Sequence, residues 1–372
     1  MSSNVEIIIE FKNNSRIYGH RSPLSNGFVA ANQAYHDLSD SEISELVEIS
    51  LSGEDDFRQV LARLACAHPG RLNVYHERLI EREIFDPAVI FHDASPACVR
   101  MIADRISSDE NSLRRKQLLR CMAWAGNAEV QSLFKIWRES PPAWVSDLSL
   151  PPHEYSYEAG WELTSNGDRR DLFATIAFPL VKGTNSSNDN SPVEGGMYID
   201  QRCPWCDHKL VVLLDIDSTN ERVSFLELGE SRHRVIACQD CTFYGPIFTT
   251  NNGKGDSIWH PSNVRPSNLI DITHYTVFER KLRLADKPRH FLESASWWNA
   301  PSITYSLIGG MPTWIQDAEY PNCPECSQKM PFIGQISSED FHPYLVEFIF
   351  YCFICTKCNV MGTTYQCSDP CD

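Results

Sequence analysis

Apolar residues between positions 39 and 140 recur at the three- and four-residue spacing of one helix face. In the segment that starts at Phe57, for example, Val60, Leu61 and Leu64 complete the i, i+3, i+4, i+7 pattern. Short polar breaks separate several segments of this kind, and short connections favour antiparallel neighbours. The pattern therefore predicts a helical region built from consecutive amphipathic helices.

Capping signals place the ends of several of these helices. Ser39 and Glu42 have the spacing of a capping box, and Ser95 precedes Pro96, a residue type favoured in the first helical turn. Asn127 is predicted to cap the last helix. The pair Pro141-Pro142 ends the helical pattern.

The consecutive helices at 95–139 are compatible with two architectures. The run Met-Ala-Trp-Ala-Gly-Asn at 122–127 resembles the turn between the two helices of a HEAT repeat, a unit that stacks into a solenoid. A plain helical bundle satisfies the same pattern. Either architecture could present a protein-binding face.

Two other stretches of this region have less regular patterns. Residues 5–11 could form a strand, and the turn signal at 13–15 would end it. A third helix is predicted from about 72 to 84, after the Pro69-Gly70 break.

Beyond position 142 the period changes from that of a helix to that of a strand. Residues 173–178 alternate between apolar and polar side chains, which predicts a strand, and further strands are predicted at 211–216 and 222–228. The paired tryptophans at 297–298 are predicted to lie in a core, with an exposed binding anchor as the alternative.

Two stretches rich in Gly, Asn and Ser, at 183–196 and 249–257, predict a linker and a flexible loop. The whole pattern predicts the α+β class. The predicted regions are a mainly helical domain at 1–140, a β-rich connector and linker at 141–196, and a β-rich domain at 197–372.

Two duplicated cysteine units carry the strongest chemical signal. Each begins with Cys-Pro-x-Cys-x-x-Lys, at 203–209 and at 323–329, and each is followed by a second C-x-x-C pair. The two pairs are separated by 31 residues in the first unit and by 28 in the second. The predicted metal ligands are Cys203, Cys206, Cys238 and Cys241 in the first unit and Cys323, Cys326, Cys355 and Cys358 in the second.

Two C-x-x-C pairs brought together can surround one metal ion with four thiolates. Four sulfur ligands leave no open position, so this set predicts one structural Zn²⁺ in each unit. Disulfides, redox-active pairs and a [4Fe–4S] cluster are the alternatives, and His208, beside Cys206, is an alternative ligand. Cys352 lies in a strand-like run, whereas Cys367 and Cys371 near the end of the sequence are not assigned.

The net charge of the sequence indicates which classes of macromolecule the protein can be expected to bind. The 372 residues carry a formal net charge of −16, with 16 basic and 21 acidic residues up to position 150 and 17 basic and 28 acidic residues beyond it. Phosphate contacts need the opposite sign, so nucleic acid is not the expected partner. A basic protein partner fits an acidic surface, although solubility alone also accounts for it.

The predictions of cellular location and of enzymatic activity rest mainly on sequence motifs that are absent. The sequence contains neither a run of about 18 apolar residues nor a secretory leader pattern, so a cytoplasmic location and no membrane partner are predicted. It also contains no H-E-x-x-H motif and no phosphate-loop motif around Gly309-Gly310. We therefore predict that the protein is not an enzyme.

Several motifs near the second cysteine unit together resemble the YwqG-like domain family of bacterial proteins. They are Ile-Gly-Gly-Met-Pro-Thr-Trp-Ile-Gln at 308–316, Cys-Pro-x-Cys at 323–326, Met-Pro-Phe-Ile-Gly-Gln-Ile at 330–336 and Phe-Ile-Phe-Tyr-Cys-Phe-Ile-Cys at 348–355. The resemblance covers 300–360 and, through the duplication, 200–360 loosely. It implies a β-rich α+β domain without established enzymatic activity and, from members carried near polymorphic-toxin genes, a role in immunity to toxins. It also favours Cys355 and Cys358 over Cys352 as ligands.

These features support two main functional hypotheses. The first is an immunity or antitoxin protein that binds and neutralises a cytosol-acting bacterial toxin, with a basic toxin as its partner. The alternative is a zinc-ribbon module that binds nucleic acid or associates with the ribosome, which only the cysteine pattern favours. The oligomeric state is not predicted.

Overall fold

A computed structural model of the protein describes residues 3–18, 26–52, 57–183, 191–229, 231–269, 281–294, 305–337 and 348–367. By their contacts these residues divide into two units, one up to Asp171 and one from Leu172 onward. The first unit is mainly helical and the second is mainly β-sheet. This arrangement confirms the predicted α+β class.

Amphipathic helices form most of the first unit. Their bounds are α1 Asn4–Tyr18, α2 Asn26–His36, α3 Asp40–Ser52, α4 Arg58–Ala67, α5 His76–Glu81, α6 Pro96–Ser108, α7 Ser112–Ala125 and α8 Ala128–Glu139. The predicted apolar stripes face the core. In α8, for instance, Val130 and Phe134 are fully buried.

The predicted caps are confirmed. Ser39 N donates to Glu42 Oε2 at 2.8 Å, which closes the capping box in front of α3. Ser95 Oγ accepts from Cys98 N at 3.2 Å. Asn127 Oδ1 accepts from two backbone N–H groups of α8, at 3.0 and 3.2 Å. Each cap satisfies a donor that the first helical turn would otherwise leave without a partner.

The strand predicted at 5–11 is wrong, because these residues belong to α1. Val5 and Ile8 are buried three positions apart, which is a helix spacing. Ser3 N donates to Glu6 Oε2 at 2.9 Å, so a capping box opens α1 as well. The turn predicted at 13–15 is also wrong, since α1 continues through it.

The helix predicted at 72–84 is shorter in the structure. A 3₁₀ turn at Asn73–Tyr75 leads into α5, which ends before Arg82. Glu83 then adopts a left-handed φ of 56°, a conformation that cannot continue a right-handed helix.

Residues beyond α8 still belong to the first unit. Trp161 is buried, donates from Nε1 to Ala123 O at 2.8 Å and stacks on Phe134 at a centroid distance of 5.9 Å. Arg138 Nη1 donates to Thr164 O at 2.7 Å. The division after Asp171 therefore falls inside the segment that was predicted as a connector.

Antiparallel strands form the sheets of both units. A ribbon of β1 and β2 belongs to the first unit, and β3 to β15 belong to the second. Their bounds are β1 Trp161–Leu163, β2 Arg169–Asp171, β3 Ala174–Lys182, β4 Val193–Gly195, β5 Met197–Arg202, β6 Lys209–Asp217, β7 Arg232–Ala237, β8 Ile247–Asn251, β9 Ser257–Trp259, β10 Leu282–Leu284, β11 Arg289–His290, β12 Leu307–Gly310, β13 Phe332–Ser337, β14 Phe348–Cys355 and β15 Val360–Cys367.

The sheet of the second unit follows the order β5-β6-β4-β10-β3-β12-β13-β14-β15-β8-β9, with β7 beside β6 and β11 beside β3. One hydrophobic cluster contains Leu213 and Leu214 of β6 together with Ile333 of β13 and Phe350 of β14. β6 is not a neighbour of β13 or β14 in the sheet order, so the sheet curls and packs against itself. Cysteines lie at the ends of β7 and β14, so both groups of cysteines belong to this curled sheet.

The linker predicted at 183–196 is wrong for Val193–Gly195, which form β4 between β6 and β10; residues 184–190 lie outside the described residues. Val193 is fully buried. A Cβ on Gly195 would collide with Leu213 O, so this glycine permits close approach of two strands.

Two further predictions in the second unit are wrong, one entirely and one in part. Residues 222–228 were predicted as a strand, but a 3₁₀ helix spans Glu221–Leu226, with Asn220 accepting from Arg222 N at 3.0 Å. The loop predicted at 249–257 is confined to residues 252–256, because residues 249–251 lie in β8 and Ser257 lies in β9, which pair as a hairpin. The tryptophans at 297–298 lie outside the described residues.

Gly309, in the Gly-Gly pair of β12, has a φ of 69°. A Cβ at this position would collide with the carbonyl oxygen of Ile176 in the paired strand β3. We expect Gly309→Ala to destabilise the second unit by about 2–4 kcal/mol, from the left-handed backbone and the collision together. Urea unfolding of the metal-loaded protein measures this loss.

Gly253→Ala provides the matched control. Gly253 has a φ of 74°, but the nearest atom to a new Cβ there would be Ser231 Cβ at 3.8 Å. Only the backbone term remains there, so a loss of about 1–2 kcal/mol is expected. Equal losses for the two variants would contradict the proposed collision at Gly309.

Candidate metal centres

Cysteines of the first centre come from two neighbouring strand ends. Cys203 and Cys206 lie in the turn between β5 and β6, and Cys238 and Cys241 directly follow β7. β6 and β7 are antiparallel, with Val211 opposite Ala237. The start of β6 therefore lies beside the end of β7, and this register brings the two pairs together.

The sulfur separations in the first centre fit a single ion. Cys203 Sγ lies 3.7 Å from Cys241 Sγ, and Cys206 Sγ lies 3.4 Å from Cys238 Sγ. All four sulfurs lie within 4.8 Å of one another. Metal–sulfur bonds of about 2.3 Å in a tetrahedron give sulfur separations of roughly 3.8 Å. The four side chains are thus spaced to hold one metal ion.

Cysteines of the second centre come from a turn and a hairpin. Cys323 and Cys326 lie between β12 and β13, Cys355 ends β14, and Cys358 lies in the turn to β15. Cys326 Sγ is 3.7 Å from Cys355 Sγ, and the four sulfurs again lie within 4.8 Å of one another. Cys352 is not in this group but lies buried within β14.

The two Cys-Pro-x-Cys segments share one backbone conformation, and we call residues 203–208 and 323–328 the first and second CPxC turns. In the first, Asp207 N donates to Cys203 O at 3.0 Å and Cys203 N donates to His208 O at 2.8 Å. In the second, Ser327 N and Gln328 O make the equivalent bonds with Cys323, both at 2.8 Å. The sequence duplication is therefore also a structural duplication.

Each turn also places a residue in the left-handed region directly after its second cysteine. Asp207 has a φ of 64° and Ser327 a φ of 58°. Asp tolerates this region better than most residues. In both turns the residue that follows, His208 or Gln328, donates its backbone N–H to the second cysteine of the turn. Trp205 N donates to Cys203 Sγ at 3.4 Å in the same way. Such N–H groups stabilise thiolates.

The pKa values of the four thiols in each group are shifted in different directions. Hydrogen bonds from Cys238 and Cys241 lower the pKa of Cys203 to about 2, and the same contact raises the pKa of Cys238 well above its usual value. The Gln328 backbone N–H lowers the pKa of Cys326 to about 7, whereas burial raises that of Cys355 to about 12. A bound cation would replace the thiol protons, because thiolates are the metal-binding form.

His208 is not placed among the four sulfurs of the first centre. Its Nδ1 lies 2.6 Å from Asp240 Oδ2, and with Asp240 it forms a second group that shares Cys206 with the first centre. Asp240 lies inside the second cysteine pair, so the contact joins the two halves of the centre. Polar contacts around metal ligands orient them, and the spacing of the sequence did not indicate this one.

The structure thus brings together all eight cysteines that the sequence predicts as ligands, in two groups of four. Four thiolates complete a tetrahedron, so neither group offers an open position for a substrate. Among the described residues, no helix has the length and apolar character needed to cross a membrane. The fold and sites define a mixed α+β protein with two closed four-cysteine centres.

Comparison with known proteins places the chain in a family. It is 30% identical over 348 residues to the uncharacterized protein YpfL of Salmonella typhimurium, covering 91% of this chain and 80% of that protein. The chain therefore belongs to the same family as YpfL. No family model matches it. No solved structure matches it either.

Proposed function

We propose that each four-cysteine group holds one Zn²⁺ and that the protein is an immunity-type protein, which binds and neutralises a bacterial toxin acting in the cytosol. The closed coordination of both centres carries this proposal. A tetrahedral set of four sulfurs is the preferred environment of structural zinc, and it stabilises a fold without performing chemistry. The fold then mainly provides a rigid surface that can bind another protein. The resemblance of the second cysteine unit to YwqG-like domains supports the same role.

The distribution of charge supports a basic partner. With the boundary after Asp171, the first unit has 26 acidic and 18 basic residues, and the second has 23 and 15. Within the second unit most of the excess negative charge lies at 301–372, which contains eight acidic and two basic residues. Asp317 and Glu325 in this stretch are exposed. Opposite charges on a partner would be attracted to this surface before contact.

Affinity capture of the tagged protein from its native cells at low salt, followed by mass spectrometry, tests the proposal. One small, near-stoichiometric protein whose expression is toxic, and whose toxicity this chain suppresses, is the expected result. Capture of ribosomal proteins or nucleic acid would favour the zinc-ribbon alternative instead. Failure of the chain to suppress the toxicity of a captured protein would contradict the immunity role.

Salt dependence provides a quantitative prediction. We expect the association rate with the captured toxin to fall about tenfold or more between low salt and about 0.5 M salt, because screening removes long-range attraction. The double variant Asp317→Asn, Glu325→Gln should lower the low-salt rate about two- to tenfold. Stopped-flow mixing measures both effects.

A matched variant controls for the loss of charge alone. Asp200→Asn with Glu221→Gln removes the same charge from exposed positions, one beside the balanced stretch 201–300 and one inside it. It should change the rate less than the first pair does. An association rate independent of salt would contradict the role of charge in toxin binding.

A further inference from the structure

The two CPxC turns differ at their inner position, and this difference is connected with the rest of the fold. The first turn has Trp205 at this position and the second has Glu325. Trp205 contacts Trp259 edge to face, with ring centroids 5.2 Å apart. Glu325 Oε1 lies 3.0 Å from His260 Nε2. The two CPxC turns are therefore contacted by two consecutive residues at the end of one strand.

Strand geometry explains how one segment reaches both turns. Successive side chains along a strand point to opposite faces of the sheet. Trp259, the last residue of β9, packs against the hydrophobic cluster that contains Cys203, Cys238 and Cys241. His260 is only 5% exposed and contacts the second turn. The sheet edge at β9 thus lies between the two turns.

Hydrogen bonds fix the position of this strand end. His260 N donates to Phe248 O at 3.0 Å, which continues the pairing of β8 with β9. Asn263 accepts from Phe248 N at 2.9 Å and donates to Phe248 O at 2.7 Å. The chain after β9 is therefore held on β8, and residues 259 and 260 have little freedom to move independently.

The ring of His260 is also oriented. Its Nδ1 accepts from Ser262 N at 3.1 Å, so the proton of the neutral ring lies on Nε2. Nε2 then donates to Glu325. Both ring nitrogens have partners, and the ring links the chain after β9 to the second CPxC turn.

We propose that Trp259 and His260 are positioning residues that couple the two metal centres, so that each ion is held more tightly while the other is bound. This inference rests on the proposed occupancy of both groups by zinc. Each contact requires the same strand end in place. When one turn loses its ion and loosens, the strand end loses a contact, and the other turn loses its support.

Zinc release from the full-length, metal-loaded protein to a chromophoric chelator tests the coupling. Cys206→Ser leaves only the second group complete, and Cys326→Ser leaves only the first. If the centres are coupled, the wild-type trace is slower than the sum of the two single-site traces, by about two- to tenfold, the effect expected for one aromatic pair and one charged hydrogen bond. A wild-type trace equal to that sum would overturn the proposal.

A second set of variants keeps all eight cysteines. Trp205→Ala, Trp259→Ala and His260→Ala should each accelerate the release of both ions, although each residue contacts only one turn. Ile258→Ala is the matched control, because Ile258 lies on the same strand and is 64% exposed. It should leave both rates unchanged.

The outcomes separate this proposal from the one on which it rests. Accelerated release of one ion only, or an equal effect of Ile258→Ala, would overturn the coupling while zinc binding stands. Elemental analysis before the chelator is added reports the metal content. Protein purified without bound zinc that takes up none on reconstitution would overturn the zinc assignment itself.

Discussion

Removal of both metal ions with a strong chelator is expected to unfold the β-rich unit and to leave the helical unit folded. The first centre ties the β5–β6 turn to the end of β7, and the second ties the turn before β13 to the β14–β15 hairpin. Structural zinc contributes about 10–16 kcal/mol of apparent binding free energy in small zinc domains. This binding free energy is of the same size as the roughly 5–15 kcal/mol by which whole domains are stable.

Hydrogen exchange resolved by peptide distinguishes the two units. Protection should disappear from the buried strands β6, β13 and β14 after chelation, whereas α6 to α8 should remain protected. Among the described residues of the helical unit there is no group of cysteines that could hold a metal. The same chelator saturated with zinc beforehand is the control, and protection of the β-rich unit that survives chelation would contradict a structural role for the metal.

Replacement of one ligand should remove one ion, and a neighbouring cysteine offers a matched test. Cys326→Ser is expected to lower the metal content from two ions to one and to destabilise the β-rich unit by several kcal/mol. Cys352→Ser makes the same atomic exchange at a buried position outside the group. This variant should retain two ions and lower the free energy of unfolding by about 1–3 kcal/mol, because it buries a hydroxyl group without a hydrogen-bond partner.

Elemental analysis and urea unfolding measure these two quantities on the same samples. Cys206→Ser should give the corresponding result at the first centre. Retention of two ions by Cys326→Ser would show that the second group is not a metal site. A loss of metal from Cys352→Ser would show that the choice of Cys355 over Cys352 is wrong.

Local signals explain which parts of this fold could be predicted. The CPxC turns were recognised because two cysteines and a fixed turn lie within a few residues, and α3, α6 and α8 because their caps and apolar stripes are contiguous. The helix at 5–11 could also have been found, since Ser3 and Glu6 form a capping box.

The missed elements depend on partners that are distant in sequence. Val193–Gly195 form a strand because β6 and β10 supply their hydrogen bonds, and the glycine that indicated a linker is the residue that lets Leu213 O approach. The contacts of Trp259 and His260 with the CPxC turns were missed for the same reason. The sequence shows only that the equivalent inner positions hold Trp205 in the first turn and Glu325 in the second. The contacts that these two residues make depend on the position of β9, which the sequence does not indicate.

The order of the strands along the chain has a consequence for biosynthesis. Every ligand of the first centre precedes every ligand of the second. The strands that frame the first centre, β6 and β7, pair with each other, whereas β8 pairs with β15, far later in the sequence. A ribosome therefore releases a complete first centre while the strands around the second are still to be made, since domains begin to fold as they emerge. The first group of cysteines is therefore ready for its proposed metal ion during translation, whereas the second group is complete only when the sheet closes.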